Sequence, residues 1–195
     1  MRREEGREAG AASAGFSSAV RLRKMGGMKT PPPAEELKVL MLRAPQLTLA
    51  VAESMTCGRV QARVGEVLGA SNFFLGGITA YSLEQKVKHL GVNRAAAKKV
   101  NSVSAGIVEQ MARGACELFG SDAGVATTGY AEPLAADGVA EPFAWWAIAR
   151  RGASGKFLLR SGRVECPGAT RTDAQAFVAD AAIAELVAYL RELRG

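Results

Sequence analysis

Residues 47–58 read LTLAVAESMTCG, and this stretch decides the fold. Leu47, Leu49 and Val51, with the small Ala50 and Ala52 between them, form an almost unbroken apolar run, the pattern of a strand buried on both faces of a sheet. The run stops at Glu53-Ser54-Met55-Thr56-Cys57-Gly58. Beyond it Val60, Val64, Val67 and Leu68 recur at helical spacing. The order is therefore strand, tight polar turn, helix. In open α/β sheets such turns lie at the carboxyl ends of strands, where free N–H groups and the positive end of a helix dipole favour ligands. Ser54 and Thr56 are candidate polar groups there.

Working outward, the rest of the pattern also alternates strands and helices. Ala34–Arg43 reads as a helix with Glu35 and Glu36 in its first turn and Leu37, Leu40 and Met41 on one face. Gly77–Tyr81 reads as a short strand. Ser82-Leu83-Glu84-Gln85 reads as a capping box that opens a helix carrying Lys86 and ending near Gly91. Residues 93–103 read as a connection, and Ser104 as the cap of a helix over Ala105–Phe119. Asp122–Thr128 reads as a second buried strand, followed by a turn at Gly129–Pro133 and a loop over Leu134–Pro142. Phe143–Ala149 and Lys156–Val164 read as a hairpin. A final helix covers about Arg171–Arg194. These elements predict one α/β domain over residues 34–195, a three-layer arrangement with a mixed sheet flanked by helices. Residues 1–33, mixed in charge, rich in Gly, Ala and Ser and closing on Pro31-Pro32-Pro33, read as a disordered tail. Phe73 and Phe74 are expected at the surface, where they would serve a homo-oligomer.

Composition narrows the function. The 195 residues are 48% hydrophobic and 23% charged, an ordinary globular balance. The net charge of +6 is concentrated at the start: residues 1–30 hold seven basic and three acidic groups, leaving eighteen and sixteen elsewhere. The near-neutral remainder does not point to nucleic acid. No stretch is apolar enough to span a membrane, and no signal-peptide core is visible. Three scattered cysteines and one histidine suggest neither a disulfide framework nor a metal site, and suit a cytoplasmic protein.

Three residues carry the expected chemistry: Ser54, Tyr81 and Lys86. A serine hydroxyl is a weak nucleophile until a base takes its proton. With no histidine in a suitable turn, a lysine whose pKa is lowered by burial can do so. A tyrosine can relay the proton or hydrogen-bond the oxyanion, and the N–H groups after Ser54 can form an oxyanion hole. The chemistry suggested is hydrolysis of an amide or ester, with no cofactor required. The plainer alternatives are Ser54 as a helix cap, Tyr81 as a packing aromatic and Lys86 as a solvated side chain. Trp145 and Trp146, adjacent on one strand, offer rings for packing or for stacking on an aromatic ligand.

AESMTCG, GASNFFLGGITAYSLEQK and TTGYAEP together resemble the carboxyl-terminal domain of CinA, whose free-standing members are nicotinamide mononucleotide amidohydrolases of the PncC type. The resemblance covers about residues 34–194. It implies an α/β domain that removes ammonia from the carboxamide of nicotinamide mononucleotide, a small-molecule nucleotide substrate. By position it implies Ser54 as nucleophile, Tyr81 and Lys86 as its activators, and Glu53, Thr56, Cys57, Gly58, Thr128, Gly129 and Arg171 around the substrate. The second half departs from the family pattern. TGG has become Thr56-Cys57-Gly58, and YSN has become Tyr81-Ser82-Leu83. TGIAGP followed by glycines has become Thr128-Gly129-Tyr130-Ala131-Glu132-Pro133-Leu134-Ala135-Ala136. PGDR has become Pro167-Gly168-Ala169-Thr170-Arg171, without its aspartate. An acid at Glu132 would repel a nucleotide phosphate. Two further readings follow: an amidase on another, non-phosphorylated substrate, and a non-catalytic paralogue that binds a nucleotide or a protein partner.

Overall fold

The computed structural model describes residues 19–21 and 34–195. The chain runs β1 (Ala19–Arg21), α1 (Ala34–Leu42), β2 (Leu49–Glu53), α2 (Arg59–Gly65) and β3 (Phe74–Thr79). It continues with α3 (Leu83–Leu90), α4 (Arg94–Lys99), α5 (Ala105–Phe119), β4 (Ala123–Tyr130), β5 (Phe143–Arg151), β6 (Phe157–Glu165) and α6 (Arg171–Arg194). The sheet order is β1-β6-β5-β4-β2-β3. β2 lies between β3 and β4 and is parallel to both, whereas β5 runs antiparallel to both of its neighbours, β4 and β6. The mixed sheet and its helices form one α/β domain, as the pattern of elements predicts. Of the segment expected to be a tail, Ala19–Arg21 pairs parallel with β6; the remainder of 1–33 lies outside the described residues.

The two faces of the sheet are built differently. Leu49 and Val51 point with Val125, Trp146 and Ile148 toward α1, α2 and α6. Ala50 and Ala52 point the other way with Ala126, Ala147 and Ala149, toward α5 and its neighbours. The alternation follows from the strand period of two. The alanine face lets α5 approach closely. A Cβ on Gly124 would lie 2.2 Å from Ala112 O, and one on Gly114 would lie 2.2 Å from Leu90 O. These contacts leave no room for even a methyl group.

Several boundaries differ from those expected. β3 begins at Phe74, because the segment pairs with β2 from Leu49↔Phe74 onward. Residues 93–103 contain α4, opened by the Asn93 side chain, which accepts from Ala96 N at 2.9 Å. β4 runs on through Gly129 and Tyr130, which pair with Ala144 and Phe143. Phe73 is fully buried, and Phe74 packs partly buried against the same core. The exposed aromatic pair expected as a dimer face is therefore absent. No helix among the described residues is long and apolar enough to cross a membrane.

Candidate active site

The turn after β2 is held from behind by Glu53. Its carboxylate, fully buried, accepts from Thr56 Oγ1 at 2.6 Å, Gly58 N at 2.9 Å, Val60 N at 3.1 Å and Gln61 N at 2.9 Å. Gln61 Nε2 adds a fifth bond at 3.0 Å. The acid thus satisfies the free N–H groups at the start of α2, the task usually given to a capping side chain. The N-cap itself is Gly58, at φ 94°, with no side-chain cap. Ser54 is accordingly free of the capping role. Gln61 reaches Glu53 across β3, where Gly77 makes room; a Cβ there would sit 2.6 Å from the Gln61 amide. Thr56 is also buried, its hydroxyl 2.7 Å from that of Thr127.

With the turn fixed, Ser54 is presented on its open side. Its N–H donates to Thr127 O at 3.0 Å. Lys86 Nζ donates to Ser54 Oγ at 3.0 Å and to the Tyr81 carbonyl at 2.8 Å. Lys86 is only 2% exposed. Burial lowers its pKa from the usual 10.5 to about 8, since a charged ammonium loses hydration there. The Ser82 cap sets this geometry: its hydroxyl accepts from Gln85 N and starts α3 one turn before Lys86. Among the described residues, the N–H groups of Met55 and Thr56 have no hydrogen-bond partner, whereas Cys57 N donates to Ser54 O.

A cavity of about 460 Å³ opens over this pair. Ser54, Tyr81, Lys86, Thr128, Gly129 and Arg171 line it. Glu53, Thr56, Cys57 and Gly58, expected around the substrate, are not among the lining residues. They build the turn instead. Tyr81 is placed differently from the expected activator. It meets Lys86 through its backbone carbonyl, and its phenol accepts from Arg171 Nη2 at 2.8 Å. The Thr128 hydroxyl donates to Ser102 O at 2.9 Å, and Gly129 is required by the sheet, since a Cβ would meet Phe143 O at 2.3 Å. Trp145 and Trp146 do not line the cavity: Trp146 is buried against Gly162, and Trp145 lies by Arg163.

Several cavity residues carry no signal in the linear pattern. Asn101 and Ser102 adopt left-handed backbone at φ 44° and 61° and line the wall. Such conformations in non-glycine residues often accompany functional sites. Asn101 Nδ2 donates to Tyr130 Oη at 3.3 Å, which in turn donates to Asp137 Oδ2 at 2.7 Å. Asparagine's tolerance of the left-handed region was the one available clue. Among the described residues no cluster of His, Cys, Asp or Glu has the makings of a metal site.

The comparisons agree with this architecture. Residues 33–190 match the family model described as the CinA C-terminal domain. A CinA-like protein of Chlorobium limicola is 36% identical over 163 residues, which is 83% of this chain and 38% of that protein. A CinA-like protein of Picosynechococcus is 46% identical over 97 residues, covering 50% of this chain and 23% of the relative. The chain thus spans well under half the length of these relatives. A crystal structure of a CinA superfamily protein from Enterobacter cloacae superposes with a TM-score of 0.74 at 25% identity, covering 87% of this chain and 96% of that one. A competence or damage-inducible protein from Enterobacter asburiae gives 0.70 at 26% identity, with 80% and 95% covered. On the family match and the shared architecture, this chain belongs to the CinA C-terminal domain family.

Proposed function

We propose that the protein is an amidohydrolase that releases ammonia from the carboxamide of nicotinamide mononucleotide, with Ser54 as nucleophile and Lys86 as its base. The observation that carries this reading is a buried lysine amine 3.0 Å from a serine hydroxyl at the mouth of a cavity. Nucleophile and base lie within hydrogen-bond reach, and a lysine with a pKa near 8 is neutral in a useful fraction at physiological pH.

In this mechanism neutral Nζ accepts the Ser54 proton as Oγ attacks the carboxamide carbon. The oxyanion of the tetrahedral intermediate is stabilised by the N–H group of Met55, which lines the cavity beside Ser54. The C–N bond then breaks, the proton on Nζ passes to the departing nitrogen, and ammonia leaves. Water adds to the resulting ester with Nζ again as base. The carboxylate is released and Ser54 regains its proton. The net reaction is amide plus water to carboxylate and ammonium, with no redox change. Tyr81 contributes by fixing Nζ through its carbonyl.

The test is ammonia release from nicotinamide mononucleotide by the whole chain and by Ser54→Ala and Lys86→Met. Turnover in the parent and a loss of about 10²-fold or more in each variant are expected for removal of a nucleophile or its base. A folded parent that releases no ammonia would overturn the assignment. One observation favours a second reading, an amidase on a non-phosphorylated carboxamide: Glu132 lies in the cavity wall.

A further inference from the structure

The charges lining the cavity are few. Among the described residues lining it, the acidic and basic side chains apart from Lys86 are Arg171 and Glu132. With Lys86 as the neutral base, Arg171 is, among the described residues lining this cavity, the cation left to meet an anionic part of a substrate. It is already engaged. Arg171 Nη1 donates to Glu132 Oε1 at 2.6 Å, and Nη2 donates to Tyr81 Oη at 2.8 Å. The three residues come from separate parts of the fold: the segment after β4, the start of α6 and the turn before α3. One N–H on each terminal nitrogen of the guanidinium is therefore engaged, so a phosphate reaching for the fork meets donors already shared with a carboxylate and a phenol. Tyr81 spans the site, with its carbonyl on Lys86 and its hydroxyl, a side chain's length away, on Arg171.

From this we infer that Glu132 is a selectivity residue, which, through Arg171, weakens the hold of the site on phosphorylated carboxamides relative to their unphosphorylated counterparts. A phosphate dianion placed on Arg171 must displace the Glu132 carboxylate or lie next to it, and like charges so close repel. A neutral nucleoside meets no such penalty. The inference rests on the amidohydrolase reading for its substrate class. It goes beyond that reading by assigning a role to a residue that never touches the reacting atoms. Glu132 acts as a positioning residue through the guanidinium it holds. Because the pair is partly exposed, its effect is bounded: an exposed ion pair is worth up to about fivefold in binding.

The experiment is steady-state turnover of nicotinamide mononucleotide and of the same nucleoside without its phosphate, by the whole chain, Glu132→Gln and Glu132→Gln/Arg171→Gln. The expected result is that Glu132→Gln lowers the ratio of KM for nucleotide to KM for nucleoside by about fivefold, the upper end for such a pair, and that the double variant loses this gain. A ratio unchanged in Glu132→Gln, or a gain that persists without Arg171, would overturn the inference. If the parent turns over neither compound, the amidohydrolase reading fails by itself. Calorimetric binding of the two compounds to the same three proteins then tests selectivity alone. A rise in nucleotide affinity relative to nucleoside, confined to Glu132→Gln, supports it; any other binding result overturns it.

Discussion

Lys86 carries two opposing demands, and its pH behaviour exposes both. Burial holds its pKa at about 8, below the usual 10.5. If neutral Nζ is the base, ammonia release rises with pH and levels off above about 8, and a pH–rate profile checks this directly. Stability follows the same group with a definite sign. Between about 8 and 10.5 the unfolded chain binds the proton that the folded chain has released, so stability rises with pH across that window. Lys86→Met removes the group, so the rise is expected to flatten while the midpoint of thermal unfolding at pH 7 moves upward. Thermal melts of parent and variant between pH 7 and 10 measure both effects. Cys57 is a second residue-scale case. It sits at φ 52°, in the left-handed region, where the family pattern has glycine. Relief of that backbone predicts that Cys57→Gly stabilises the protein by about 1 kcal/mol, read as a shift of the urea midpoint with unchanged m-value.

At the scale of elements, Glu53 joins β2 to α2. Three backbone N–H groups and two side chains converge on one buried carboxylate. Glu53→Ala leaves the three backbone N–H groups unpartnered, and a cost of about 3 kcal/mol or more is expected from buried groups losing their acceptor. Denaturant unfolding measures the loss. The packing of α5 gives a separate prediction. Gly114 lies where a methyl would strike the Leu90 carbonyl. Gly114→Ala is therefore expected to destabilise by about 1–3 kcal/mol, although alanine is the better helix former. A rise in stability on this substitution would show that the two backbones can separate without penalty.

For the molecule as a whole, the order of strands and helices was legible from apolar periodicity and turn chemistry. The Leu47–Gly58 run, the Ser82 and Ser104 caps and the long α6 stripe all point the same way. Local signals suffice there because strand alternation and helix capping depend on neighbours a few residues apart. The candidate nucleophile and the candidate base were legible for the same reason, since Ser54 follows a buried strand and Lys86 follows a capped helix start. What no local pattern carries is the meeting of Lys86 Nζ with Ser54 Oγ across 32 residues. The burial of this amine, the turning of the Tyr81 phenol toward Arg171, and the pairing of Arg171 with Glu132 39 residues away are likewise non-local. Phe73 was expected outside and lies in the core, because an apolar residue just before a strand has no period to show which way it faces. Local pattern was enough for the class of fold, for the order of its elements apart from β1 and α4, and for the polar residue types at the strand ends. Folding alone brings Lys86 and Ser54 into contact and desolvates the lysine amine. It also decided that the cavity's remaining cation is held by an acid, since contact, desolvation and charge pairing arise between segments far apart in the chain.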